Sequence, residues 1–147
     1  MVKQSLFAIV FLASSITAMS TATAETMPLD QQSANVMAEQ DGRNWLALVD
    51  SQQYAASWQN AAAFFQQAID QATWEQSLAQ VREPLGELIG REVKASKFAT
   101  ELPGVADGQY MIYQFTTEYS NKANAIETLT LVLEDDGEWR VIGYYIN

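Results

Sequence analysis

The period of the apolar residues changes once along this chain, near Arg91, and that change limits the folds open to it. Before it, apolar side chains recur at threes and fours: Ala34, Met37, Ala38, Trp45, Leu48 and Val49, then Tyr54, Trp58, Ala61, Ala62, Phe65, Ala68 and Ile69. Such spacing sets one face of a helix against a core, and Gly42 weakens the first of these helices. Thr73-Trp-Glu-Gln76 has the form of a capping box and predicts a third helix along Trp74, Leu78 and Val81. Pro84 disfavours helical geometry at Glu83, so this helix is expected to end near Arg82. After Arg91 the period is two. Residues 91–102 form a polar strand candidate whose Lys94 and Lys97 suit a sheet edge. Met111, Tyr113, Phe115 and Tyr119 alternate with more polar neighbours over 109–120, and Leu129, Leu131 and Leu133 do so over 125–134. Asp136-Gly137 marks a tight hairpin into a last strand at 139–146. Three helices followed by four strands predict an α+β fold, with N-terminal helices packed on a curved four-stranded antiparallel sheet.

The segment ahead of the first helix reads as an address. Lys3 sits in a short polar start, Leu6 to Ala18 is mostly apolar, and Ala22 and Ala24 form an A-x-A pattern. This predicts a secretory signal peptide over 1–24, cut between Ala24 and Glu25, then a loose polar leader over 25–33 and one domain over 34–147. The apolar run is shorter than the ~20 residues of a bilayer span, and no cysteine near the cut offers a lipid anchor. The expected product is secreted across the inner membrane, and in a Gram-negative cell it is periplasmic.

Composition removes several chemistries. The chain has no cysteine and no histidine. It lacks disulfide support and the usual ligands of zinc, copper, haem and iron–sulfur clusters. A nucleophile with a histidine base is excluded. No metal and no cofactor is expected. The net charge is −10, or −11 once Lys3 is removed with the leader. Nucleic acid and anionic lipid are therefore poor partners.

Several segments carry a resemblance to a known bacterial family, domain of unknown function 4019. They are Trp45-Leu-Ala-Leu-Val-Asp50, Tyr54-Ala-Ala-Ser-Trp58, Arg82-Glu-Pro-Leu-Gly86, Arg91, Leu102-Pro-Gly104, Asp107-Gly-Gln-Tyr110, Asn121-Lys122, Glu127-Thr-Leu-Thr-Leu131 and Gly137-Glu-Trp-Arg-Val-Ile-Gly-Tyr-Tyr145. They run in order through nearly the whole chain after the leader. The resemblance implies export and a cone-shaped fold similar to cystatin or nuclear transport factor 2. It implies no activity, since fold alone does not carry one.

Glu127 is the first candidate site residue. Strand alternation places it with Leu129, Leu131 and Leu133 on the face expected to be buried, where a bare carboxylate is costly. Arg82 and Lys122 are the cations expected to meet it. Either the carboxylate orients a ligand or works as an acid/base in a pocket, or it is a strand-end residue held by an ion pair. Arg82, at a helix end, either clamps an anion bidentately or bonds the last carbonyls of its own helix. Tyr110, Tyr113, Tyr119, Tyr144 and Tyr145 put hydroxyls on strands, where tyrosine either polarises a carbonyl beside a carboxylate or simply packs. Trp45, Trp58 and Trp74 read as core anchors, and Trp139 as a cross-strand packing residue. The run Glu134-Asp-Asp-Gly-Glu138 lacks the ligand spacing of a calcium loop and reads as a solvated turn.

These features favour a non-catalytic module that binds a small ligand or an envelope protein, with Arg82, Tyr113 and Glu127 as its binding residues. The alternative is a histidine-free lyase, isomerase or hydrolase using Glu127 with Tyr113 or Tyr119 in a pocket between sheet and helices. A homodimer and a monomer both fit the sequence.

Overall fold

Four helices precede four strands in the computed structural model, which describes residues 29–147. The signal-peptide reading, with its cut at Ala24 and Glu25, falls outside the described residues. Helix α1 spans Leu29–Asp50. It begins five residues before the first apolar position of its stripe, so the leader expected over 25–33 is helical from Leu29 onward. Asp30 sits in the first turn, where the helix dipole favours a negative charge. The buried line of α1 is Ala38, Gly42, Trp45, Leu46 and Val49, whereas Val36 and Met37 are exposed. A methyl group on Gly42 would lie 3.0 Å from Leu129 Cδ2 and 3.4 Å from Leu131 Cδ1. That glycine, unfavourable for the isolated helix, lets α1 settle close onto the sheet.

The second apolar stripe is divided. Helix α2 spans Tyr54–Gln59 and α3 spans Ala63–Ala68. Between them Ala62 is extended, and its N–H bonds the Val141 carbonyl at 2.9 Å. One backbone bond to a sheet edge thus replaces a turn of helix. Gln66 Nε2 reaches back to the carbonyls of Trp58, Gln59 and Ala61 at and just beyond the end of α2, where the Trp58 carbonyl also accepts from Ala61 N. Helix α4, Gln71–Arg82, ends where Pro84 predicts. Its cap is Asp70 rather than Thr73: the Asp70 carboxylate accepts from Thr73 N at 2.9 Å and Thr73 Oγ1 at 2.8 Å. A 3-10 turn at Glu83–Leu85 follows.

Strands β1 (Leu88–Ala99), β2 (Tyr110–Tyr119), β3 (Lys122–Leu133) and β4 (Trp139–Ile146) pair in sequence order, all antiparallel. This is the α+β arrangement the change of period predicts. The helix-facing side buries Tyr113, Phe115, Thr117 and Tyr119 of β2 and Ala125, Glu127, Leu129 and Leu131 of β3. A register shift in the β3–β4 ladder falls between Thr130 and Leu131. Val141 and Tyr144 then both join the main core, while Ile142 packs with Tyr110 and Ala62 in a second cluster. Trp45 ties the layers together, its ring 6.1 Å from that of Trp74 and 5.3 Å, edge-on, from that of Tyr144. The acidic turn after β3 is held by Arg140, which pairs with Glu134 at 2.6 Å and Asp136 at 2.8 Å. Among the described residues no acidic cluster is placed to hold a metal, and no helix is long and apolar enough to cross a membrane.

Candidate functional site

Glu127 is fully buried. Its Oε1 accepts from Arg91 Nε at 2.6 Å and Thr117 Oγ1 at 2.5 Å. Its Oε2 accepts from Arg91 Nη2 at 3.2 Å and from the Tyr144 hydroxyl. A carboxylate has about four lone-pair positions, so this one is saturated. Arg91 also grips Asp50, at the end of α1, through Nη1 at 2.7 Å and Nη2 at 2.9 Å. Arg82 pairs with the same Asp50 at 3.1 Å, donates to the Tyr119 hydroxyl at 3.0 Å, and lies over the Tyr119 ring. Two arginines and two carboxylates therefore form a neutral cluster, fully buried at Glu127 and partly exposed at Asp50. It joins α1, α4 and all four strands.

The cluster sets its own electrostatics. Burial works against the Arg91 charge, but hydrogen bonds to Asp50 and Glu127 outweigh it and hold the guanidinium above its ordinary pKa. Burial, and then the negative charge of Glu127, pushes the Tyr119 phenol up to about 12. The same two causes raise Tyr144 well above the usual tyrosine value. A raised folded pKa means that the folded state holds a proton the unfolded chain releases. This stabilisation is complete below the unfolded tyrosine value of about 10 and is lost as pH climbs through the folded value. The urea midpoint is expected to fall steadily from about pH 10 to about pH 12; a midpoint flat across that window contradicts the assignment.

The expected site residues are only partly gathered. Tyr119 borders the cluster through Arg82. Tyr113 does not: its hydroxyl donates to the Asn35 carbonyl at 2.7 Å and approaches Asn35 Oδ1 at 2.6 Å, on α1. Arg82 is buried around Asp50 and Tyr119, and its Nε has no partner among the described residues. It reaches neither Glu127 nor the carbonyls closing α4. Lys122 is exposed at the start of β3 and forms none of the Glu127 contacts. Sequence reasoning missed Arg91 as the partner of Glu127, and with it Asp50, Thr117 and Tyr144. The signal was the logic applied to Glu127 itself, that a carboxylate on an apolar face requires a cation, extended to every arginine.

The open concavity lies elsewhere. A groove of about 270 Å³ is lined by Asn44, Trp45 and Leu48 of α1, Asn60 after α2, and Trp139 and Val141 of β4. None of its lining side chains is ionisable. A smaller cleft of about 60 Å³ between α4 and β4 touches Tyr144, with Trp74, Leu78 and Ile146 around it. Glu127 lines neither.

Fold and site together define an α+β domain with a helix-covered antiparallel sheet, a largely buried ionic cluster and an uncharged groove. Residues 41–144 match the family described as Protein of unknown function (DUF4019), and the chain belongs to that family. The match encloses both the cluster and the groove. No curated protein and no solved structure matches the chain significantly.

Proposed function

We propose that this chain is an exported, non-catalytic binding module, and that its ligand site is the groove between Trp45 and Trp139. One observation carries this reading: the carboxylate best placed by sequence for chemistry is saturated and sealed, while the open groove carries apolar walls and amide side chains. Small-ligand sites are typically concave and mostly apolar, with a few polar groups that fix orientation. The lyase, isomerase or hydrolase alternative requires Glu127 to exchange a proton with a substrate. Four donors already occupy its lone pairs, and this weighs against that role. Export to the periplasm rests on the leader pattern of residues 1–24.

Native mass spectrometry on the full chain, expressed with its own leader and released from the cell envelope, tests both parts. The expected spectrum shows a chain starting at Glu25 with a retained small mass. The groove-filling variant Leu48→Trp is expected to come without that mass. An uncut chain overturns export. A ligand mass that Leu48→Trp retains overturns the groove assignment.

A further inference from the structure

We infer that the groove selects an uncharged ligand bearing a carboxamide on a compact apolar body; this rests on the binding-module reading above and names its ligand class. The first ground is the polar inventory of the groove. Three of the four tryptophans hand their indole N–H to protein acceptors: Trp45 to the Ser57 carbonyl, Trp58 to the Ile69 carbonyl, Trp74 to Ser57 Oγ. Among the described residues the Trp139 N–H has no such partner. Yet among the described residues the one sealed and unpartnered side-chain polar atom is Arg82 Nε. The Trp139 N–H therefore remains within reach of solvent, although its residue is only 4% exposed, and the groove is the concavity that residue lines.

The two amides complete a pattern. Asn44 Oδ1 accepts from Gln40 Nε2 at 3.0 Å, which leaves the Asn44 NH2 group free to donate. Asn60 Nδ2 donates to the Ala56 carbonyl at 2.8 Å, which leaves Asn60 Oδ1 free to accept. Two donor groups, the Trp139 N–H and the Asn44 NH2, and one acceptor, Asn60 Oδ1, thus belong to residues that line the groove with Leu48, Trp45 and Val141, and the Asn60 NH2 keeps one further N–H. A carboxamide offers the complement, a carbonyl with two lone pairs and an adjacent N–H.

The second ground is charge. No ionisable side chain lines the groove, and burying an ion without a partner is costly. The chain's net charge of −10 further disfavours anions. A carboxylate of the same shape should therefore be rejected.

Titration of the full chain with N-acetyl-leucinamide and, separately, N-acetyl-leucine separates the possibilities, read in proton–nitrogen spectra. The amide is expected to move the Trp139 indole resonance and the side-chain amide resonances of Asn44 and Asn60 in a saturable way. The Trp58 and Trp74 indoles should stay still. The acid is expected to bind at least about tenfold more weakly, as befits an unpaired charge. Trp139→Phe keeps the ring and removes the donor, and should weaken the amide by roughly threefold to tenfold. Equal binding of acid and amide overturns the proposal, and so does an amide that leaves the Trp139 resonance unmoved. If envelope material still yields a retained mass that Leu48→Trp loses, the ligand class falls and the binding-module reading stands. If no mass is retained either, both fall.

Discussion

Replacing Arg91 by methionine is expected to cost about 3–5 kcal/mol of stability, the range for leaving a buried charge without its partner. Glu127 is fully buried and Arg91 supplies two of its four hydrogen bonds. Without them the buried carboxylate keeps only Thr117 and Tyr144 as donors and has no adjacent cation, and Asp50 loses its bidentate partner. A typical domain has ~5–15 kcal/mol in all, so this one change removes a large share. The double variant Arg91→Met/Glu127→Leu should lose less than the sum of its two single variants, because it deletes a charge pair and leaves Arg82 with Asp50. Part of the loss persists, since Thr117 and Tyr144 keep hydroxyls that no longer have an acceptor. Urea unfolding of the three variants checks this. Strictly additive losses would mean that the cluster does not act as a unit.

Gly86→Ala is expected to cost about 2–4 kcal/mol, from backbone strain and a broken loop contact together. Gly86 has φ 77° and ψ −154°, a region that side chains with a Cβ scarcely enter. A Cβ there would also fall 2.0 Å from Ser120 Oγ. That hydroxyl accepts the Glu87 N–H at 2.9 Å, while Ser120 N bonds the Glu87 carbonyl and Asn121 N the Leu85 carbonyl. These contacts pin the β2–β3 turn onto the chain leaving α4, close to the rungs that carry Arg91 and Thr117. Gly137 supplies the control. Its φ is +84°, but nothing lies within 4 Å of a Cβ built on it, so Gly137→Ala should cost only about 1–2 kcal/mol. Equal midpoint shifts for the two alanines would remove the role assigned to the Ser120 contact.

The order of elements was legible because it depends on local periods. The four strands, the end of α4 before Pro84 and the polar edge strand β1 all follow from patterns within a dozen residues. What was not legible depends on partners distant in sequence. The break between α2 and α3 exists because the Ala62 N–H finds Val141, seventy-nine positions away in sequence, and no local breaker marks it. Gly42 looks like a weak point in a helix until the sheet beneath it is placed. Glu127 was readable as a buried carboxylate from alternation alone. Its partner was not, because Arg91 sits in a strand that otherwise reads as a solvated edge. The pairing of Asp50 with two arginines emerges only when α1, α4 and β1 converge. The groove was the least legible feature of all. Trp45 and Trp139 both read as packing residues, and both do pack; the recess arises where the division of α2 from α3 sets Asn60 beside them.

The same contrast separates framework from site. Burial and the saturated Glu127 carboxylate make the Asp50–Arg82–Arg91–Glu127 cluster a clasp between helices and sheet, whereas the groove owes its character to groups with capacity to spare. The most direct test is Glu127→Gln, with urea stability and retained ligand mass measured on the same preparation. A marked loss of stability is expected, with the folded protein still carrying the ligand mass of the unmodified chain. A variant of unchanged stability that has lost its ligand would contradict it, and would return the Glu127 charge to the functional site.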